Sequence, residues 1–275
     1  MHVHLFTDQF LRSYWHDEYS RYCEDDDQRV LNALTAWAQR AEHKETSAVA
    51  ALLGTIFVDL WGYRYSGTSD GQPDGASTYS LYPEYPISRA GQTGGTGSAD
   101  VALGWWGADS GEVPQVVGEF KDIRSGLDVD QNRKGNARSP VKQCADYLRE
   151  ARGALWGNEP VQPVWALVTD MNEFRLYHYR TIPHEYQRFV ITPHPNDPTP
   201  PLVQDTEEAR FQRFLFTRMF SADWLISHRG KSALERLLDE QWTRERDLEN
   251  EFYREYRAYR EHLYTTIKEQ NPSFD

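Results

Sequence analysis

Near residue 98 the apolar pattern changes period, and this change constrains the fold more than any other feature of the chain. Upstream, Leu31, Leu34, Trp37 and Ala41 recur at helical spacing, and a second run carries Val49, Leu52, Leu53, Ile56, Phe57 and Leu60 before Gly62. Both runs predict helices, the second closing at its glycine. The first is expected to begin near Gln28, behind the acidic run Glu24-Asp25-Asp26-Asp27, which suits the positive end of a helix. Downstream, the segments from Asp100 to Trp105 and from Pro114 to Lys121, with the core Val116-Val117-Gly118-Glu119-Phe120, predict two paired strands. Residues 66–98 between these regimes are rich in Gly, Ser, Thr and Pro, which predicts a long loop with one strand around Ser80 to Tyr85.

The segment from Asp122 to Ser139 is polar and has no periodic apolar face. From Pro140 to Arg152, Val141, Cys144, Ala145 and Leu148 gather on one side of a predicted helix, and Pro140 suits its first turn. Strands follow at Val164 to Val168, Phe174 to Tyr179 and Gln187 to Thr192, and the Pro-rich stretch from Thr192 to Pro201 reads as a linker. Residues 206–220 and 231–269 are helical in pattern. In the second of these, Leu248, Phe252, Tyr256, Tyr259 and Leu263 form a stripe that needs a partner surface. The expected architecture is α/β, a mixed central sheet flanked by helices with a helical C-terminal extension. The expected domains are residues 1–200 and 201–275.

Composition narrows the function. Cys23 and Cys144 are the only cysteines, too few for a disulfide framework or a Cys-rich zinc site. No stretch matches the roughly 18 apolar residues of a membrane span, and the N-terminus MHVHLFTDQF lacks the regions of a signal peptide. The expectation is a soluble, cytoplasmic protein without a membrane partner. The net charge of −12 opposes broad binding to a polyanion, so any contact with DNA has to come from a local patch or from another part of an assembly.

In a strand, residues two apart share a face, so Glu119 and Lys121 project together while Phe120 points to the opposite side. If the two predicted strands pair, Asp100 converges on Glu119. Two carboxylates and a backbone carbonyl, here that of Phe120, are part of the oxygen shell that Mg2+ prefers. Lys121 would orient a water. One helix later Gln143 and Tyr147 are four residues apart and share a helix face. Upstream, Glu45 opens an apolar helix and is a candidate third acid. An isolated Glu-x-Lys is most often a solvated charge pair; Asp100 before it and Gln143 and Tyr147 after it are what give it weight.

Ala99-Asp100, Glu119-Phe120-Lys121 and the Gln-x-x-x-Tyr of residues 143–147 resemble the PD-(D/E)XK nucleases, with Ala in the Pro position. More narrowly, the run VVGEFKDIRSGLDVDQNRKGNARSPVKQCADYL and the segment VWALVTDMNEFRLYHYR resemble the N-terminal nuclease part of type IIG restriction-modification enzymes. The likeness covers roughly residues 45–180, and the long tail is more weakly similar to their helical connector. The resemblance implies a restriction-endonuclease-like sheet and a Mg2+-dependent DNA endonuclease of phage defence, with Mn2+ as a substitute. It also implies that Asp100 and Glu119 bind metal, Lys121 assists the water, and Gln143 and Tyr147 support the site. Expected partners are double-stranded DNA, methyltransferase and target-recognition domains outside this chain, and a second copy for double-strand cleavage. Two alternatives stand beside this one: a nuclease subunit of another phage-defence or repair complex, and a catalytically idle nuclease-fold docking module.

Residues 121–152 hold eight basic side chains against five acidic ones. Of these, Arg124, Arg133, Lys134, Arg138 and Lys142 are the candidate DNA contacts, against the plain reading of an ordinary solvated surface. The histidines show no zinc spacing, Gly94-Gly95-Thr96-Gly97 lacks the Lys of a P-loop, and no Gly-x-Ser-x-Gly elbow occurs.

Overall fold

The structure, a computed structural model, describes residues 3–40, 45–65, 78–88, 95–107, 113–123, 125–131, 138–153, 162–194 and 198–271. The chain divides into two compact units, Met1–Leu234 and Glu235–Asp275.

The first unit is built on a seven-stranded mixed sheet. In chain order its elements are β1 (Val3–His4), α1 (Asp8–Tyr14), α2 (His16–Ser20), α3 (Glu24–Arg40) and α4 (Glu45–Leu52), which runs into a π-helical stretch over Leu53–Leu60. There follow β2 (Tyr79–Ile87), β3 (Gly97–Trp106), β4 (Pro114–Phe120), α5 (Pro140–Gly153), β5 (Trp165–Thr169), β6 (Glu173–His178), β7 (Glu185–Val190), α6 (Glu207–Met219) and α7 (Ala222–Leu225). The strand order is β1-β7-β6-β5-β4-β3-β2. β3 and β4 pair antiparallel, whereas β4 and β5 are parallel and are joined through α5. β2 is an edge strand, where Pro83 and Pro86 cost no interior ladder bonds.

The sheet buries both faces. On one, α5 lays Val141, Cys144, Tyr147 and Leu148 over Val117, Ala166, Val168 and Tyr177. On the other, Phe57, Trp61, Phe120, Phe174 and Phe216 form a chain of ring contacts with centroids 5.2–5.8 Å apart in the pairs Phe57–Phe120, Trp61–Phe174, Trp61–Phe216 and Phe174–Phe216.

Several elements differ from the sequence expectation. The acidic run forms the first turn of α3, not a segment ahead of it, because Asp27 is buried there against Arg213 of α6. Residues 1–26 hold two short helices; Thr7 caps α1 through the Phe10 N–H at 3.3 Å, and Trp15 between them is fully buried. The stretch expected to be a linker is tied to the sheet near both ends: the Thr192 N–H donates to Asn172 Oδ1 at 2.9 Å, Arg188 of β7 donates to the Thr199 hydroxyl at 2.7 Å, and just past the stretch the Leu202 N–H bonds to the Val190 carbonyl at 2.8 Å. Arg213 likewise donates to the Leu202 carbonyl at 2.8 Å. For these reasons α6 and α7 lie inside the sheet-bearing unit, past the position where the sequence suggested a boundary.

The second unit consists of the greater part of α8 (Ala233–Gln270), a helix of 38 residues. Among the described residues no helix is long and apolar enough to cross a membrane.

Candidate active site

β4 delivers the central pair. Its register with β3 sets Val101 against Gly118 and Ala102 against Val117, and Asp100 and Glu119 are the residues that follow this ladder's last pair, each two along its strand from Ala102 and Val117 and so on their face. Directly opposed residues of an antiparallel pair share a face, and that face is the one α5 covers. Gly118 permits the close approach, since a Cβ there would lie 2.5 Å from Cγ1 of Val101.

Asp100 is oriented by the backbone, accepting from the Phe120 N–H at 2.6 Å. Lys121 continues the β4–β5 ladder, its N–H donating to the Thr169 carbonyl at 2.9 Å. Its ammonium turns back to form an ion pair with Glu119 and a hydrogen bond of 2.8 Å to the Phe120 carbonyl. Two of the oxygens that the sequence marks as metal donors therefore already converge on one positive centre. Glu119 and Lys121 are only 1% and 3% exposed. A pair sealed this way is strongly coupled, and loss of either partner leaves a buried charge.

α5 closes the site from above. Gln143 donates to the Tyr147 hydroxyl at 2.7 Å, which leaves the hydroxyl its own proton to donate. Tyr147 belongs to the same buried cluster as Cys144 and Leu148. Burial, and next the negative charge of Glu119, push the Tyr147 phenol up to about 12. Burial also raises the Cys144 thiol well above its ordinary range, with Glu119 and then Asp100 adding to it, so this cysteine is an inert packing group near neutral pH. Both effects register the two carboxylates beneath the helix.

The remaining expected site residues are distributed differently. Glu45 is the first residue of α4, and its side chain lies outside the described residues, as do Arg124, Arg133 and Lys134. Arg138 forms an ion pair with Asp146 at 2.8 Å and stands 5.8 Å from the Tyr147 ring. Lys142 pairs with Asp130 at 3.0 Å on the surface. The described cations of the expected DNA patch thus carry acidic partners of their own.

One ionic group on the same face was not anticipated. Arg175 opposes Val168, which in turn opposes Glu119, so β6 presents Glu173, Arg175 and Tyr177 beside the candidate site. Arg175 reaches both carboxylate oxygens of Asp128, at 2.9 and 2.8 Å, and ties the loop after Lys121 to the sheet. Arg188 holds Glu173 at 2.7 and 3.0 Å. The signal was present in the alternation Glu173-x-Arg175-x-Tyr177, whose polar side ordinarily means a solvated face.

Hard oxygen donors from Asp100, Glu119 and the Phe120 carbonyl suit Mg2+. Among the described residues, however, no group of three or more His, Cys, Asp and Glu side chains is arranged to hold a metal ion. No family model, curated protein or solved structure matched the chain.

Proposed function

We propose that this chain carries the active site of a Mg2+-dependent DNA endonuclease of the PD-(D/E)XK type, with a restriction-endonuclease-like fold. In this reading it is the nuclease portion of a larger type IIG-like restriction-modification enzyme, acting on double-stranded DNA in the cytoplasm. The observation that supports it most is the convergence of Glu119 and the Phe120 carbonyl on the Lys121 ammonium, with the Asp100 carboxylate held on the Phe120 N–H at the end of the β3–β4 ladder. Asp100, Glu119 and the Phe120 carbonyl would hold the ion, and Mg2+, or Mn2+ in its place, would neutralise phosphate charge and acidify a bound water. Lys121 orients that water, and Gln143 fixes the Tyr147 hydroxyl as a donor toward phosphate oxygen.

Burial of the pair favours a second reading, a catalytically idle nuclease fold that serves as a docking module, because a sealed Glu119–Lys121 pair can be purely structural. Incubation of the full natural polypeptide with plasmid DNA, with Mg2+, with Mn2+ and with chelator, separates the two. The nuclease reading expects metal-dependent cleavage abolished by Lys121→Ala in a chain that remains folded by circular dichroism. Absence of cleavage under all conditions, or cleavage that survives Lys121→Ala, overturns it.

A further inference from the structure

Within the second unit, Phe252, Tyr256, Tyr259 and Leu263 recur at steps of four, three and four residues, which is the spacing of a coiled-coil seam. They are exposed by 64%, 53%, 67% and 46%, and Leu248 and Ile267 extend the stripe at 66% and 42%. A solitary helix gains nothing from such a seam in water.

The charges beside the seam specify what covers it. At 3.6 residues per turn Glu255 lies on one flank of the stripe and Arg260 on the other. The ion pairs within this stretch of helix use other residues, Arg254 with Glu251 at 3.9 Å and Arg257 with Glu261 at 3.0 Å. In a parallel, in-register pair of such helices, the flank on one side of each seam faces the opposite flank of its neighbour, with residues five apart in contact. Glu255 then meets Arg260 of the second copy, and by symmetry the same contact forms twice. An antiparallel pair would set like flanks together, leaving Glu255 beside His262 and Arg260 beside Tyr253, with less charge compensation.

We propose that α8 is a self-association element: the stripe from Leu248 to Ile267 is covered by the same stripe of a second copy of this chain, parallel and in register, with Glu255 and Arg260 as reciprocal rim pairs. This inference is independent of the nuclease reading. If both hold, pairing supplies the two active sites that cutting both strands of a duplex requires.

Sedimentation velocity of the full chain at micromolar concentration should show a species of twice the chain mass. Phe252→Glu with Tyr259→Glu should convert it to monomer without loss of helix content. Glu255→Arg and Arg260→Glu should each weaken the pair at least tenfold by setting like charges together, whereas an equimolar mixture of the two variants should restore it as a heterodimer. In a Cys23→Ser background, Phe252→Cys should give a disulfide-linked dimer, as parallel register demands. A monomer at all concentrations, a dimer indifferent to the two Glu substitutions, a mixture no tighter than its components, or no crosslink at residue 252 each overturns the proposal.

Discussion

The carboxylate of Asp100 accepts a 2.6 Å hydrogen bond from the backbone N–H of Phe120, so the strand that carries Glu119 also aims its partner acid. This bond separates structure from chemistry at one position. Asp100→Asn keeps an acceptor for the Phe120 N–H and should cost less than about 1 kcal/mol, whereas Asp100→Ala strands a donor in a half-buried place and should cost about 1–3 kcal/mol. Under the nuclease reading both variants lose metal-dependent cleavage, because both lose the charge. Urea denaturation measures the first difference and a plasmid nicking assay the second. A fully active Asp100→Asn chain would remove Asp100 from the site.

The Glu119–Lys121 pair gives a complementary test. Removing one partner of a buried pair costs about 3–5 kcal/mol, while replacing both with neutral groups of similar shape is often nearly neutral. Lys121→Met alone should therefore destabilise the chain strongly, and Glu119→Gln with Lys121→Met should recover most of the loss. Stability recovered without recovery of cleavage is the outcome expected of a functional pair. Cleavage retained by the double variant would make the pair structural only.

Asp27 and Arg213 join α3 to α6 by two bonds, of 2.7 and 2.6 Å, and Arg213 also donates to the Leu202 and Gln204 carbonyls at 2.8 and 2.6 Å. The arginine thus fastens α3, α6 and the turn that follows the Pro-rich segment at once. Arg213→Met should cost about 3–5 kcal/mol, because Asp27 stays buried without its cation. It should be visible as a lower urea midpoint with little change of slope. A shift below about 1 kcal/mol would show that Arg213 does not hold the turn at Leu202 and Gln204 in place.

What could be read from the chain alone was set by the range of the interactions involved. β4 and α5 were legible because Val116 to Phe120 and Val141 to Leu148 carry their periods locally, and the site residues are tied to those periods. The architecture, a mixed sheet flanked by helices with a helical C-terminal region, followed from the order of such segments. α3 was placed too late because Asp27 is drawn inward by Arg213, a residue 186 positions away. The segment after β7 was read as a linker for the same reason: its anchors, Val190 and Arg213, leave no mark on its own composition. The spacing of Tyr147 from Gln143 implied no more than a shared helix face. In the folded chain its ring packs with Cys144 and Leu148, and only the hydroxyl meets Gln143.

The cluster beside the site predicts a pH dependence. Burial alone would raise the Glu173 carboxyl, but the hydrogen bond from Arg188 and the charge of Arg175 outweigh it and hold the group below its ordinary value. A carboxyl whose folded value is depressed binds its proton more readily in the unfolded chain. Its contribution to stability is therefore complete above the ordinary glutamate value of about 4.3 and is lost as pH falls through the lower folded value. Glu173→Gln removes that contribution and also leaves Arg175 and Arg188, both largely buried, without their shared anion. The unfolding free energies of the two chains should differ most near neutral pH, by about 3–5 kcal/mol, and converge as the solution is acidified below the ordinary glutamate range. Urea titrations at a series of pH values test this directly. A gap of constant size from neutral to acid pH would show that Glu173 acts through packing, and that its charge does not stabilise the face on which Asp100 and Glu119 stand.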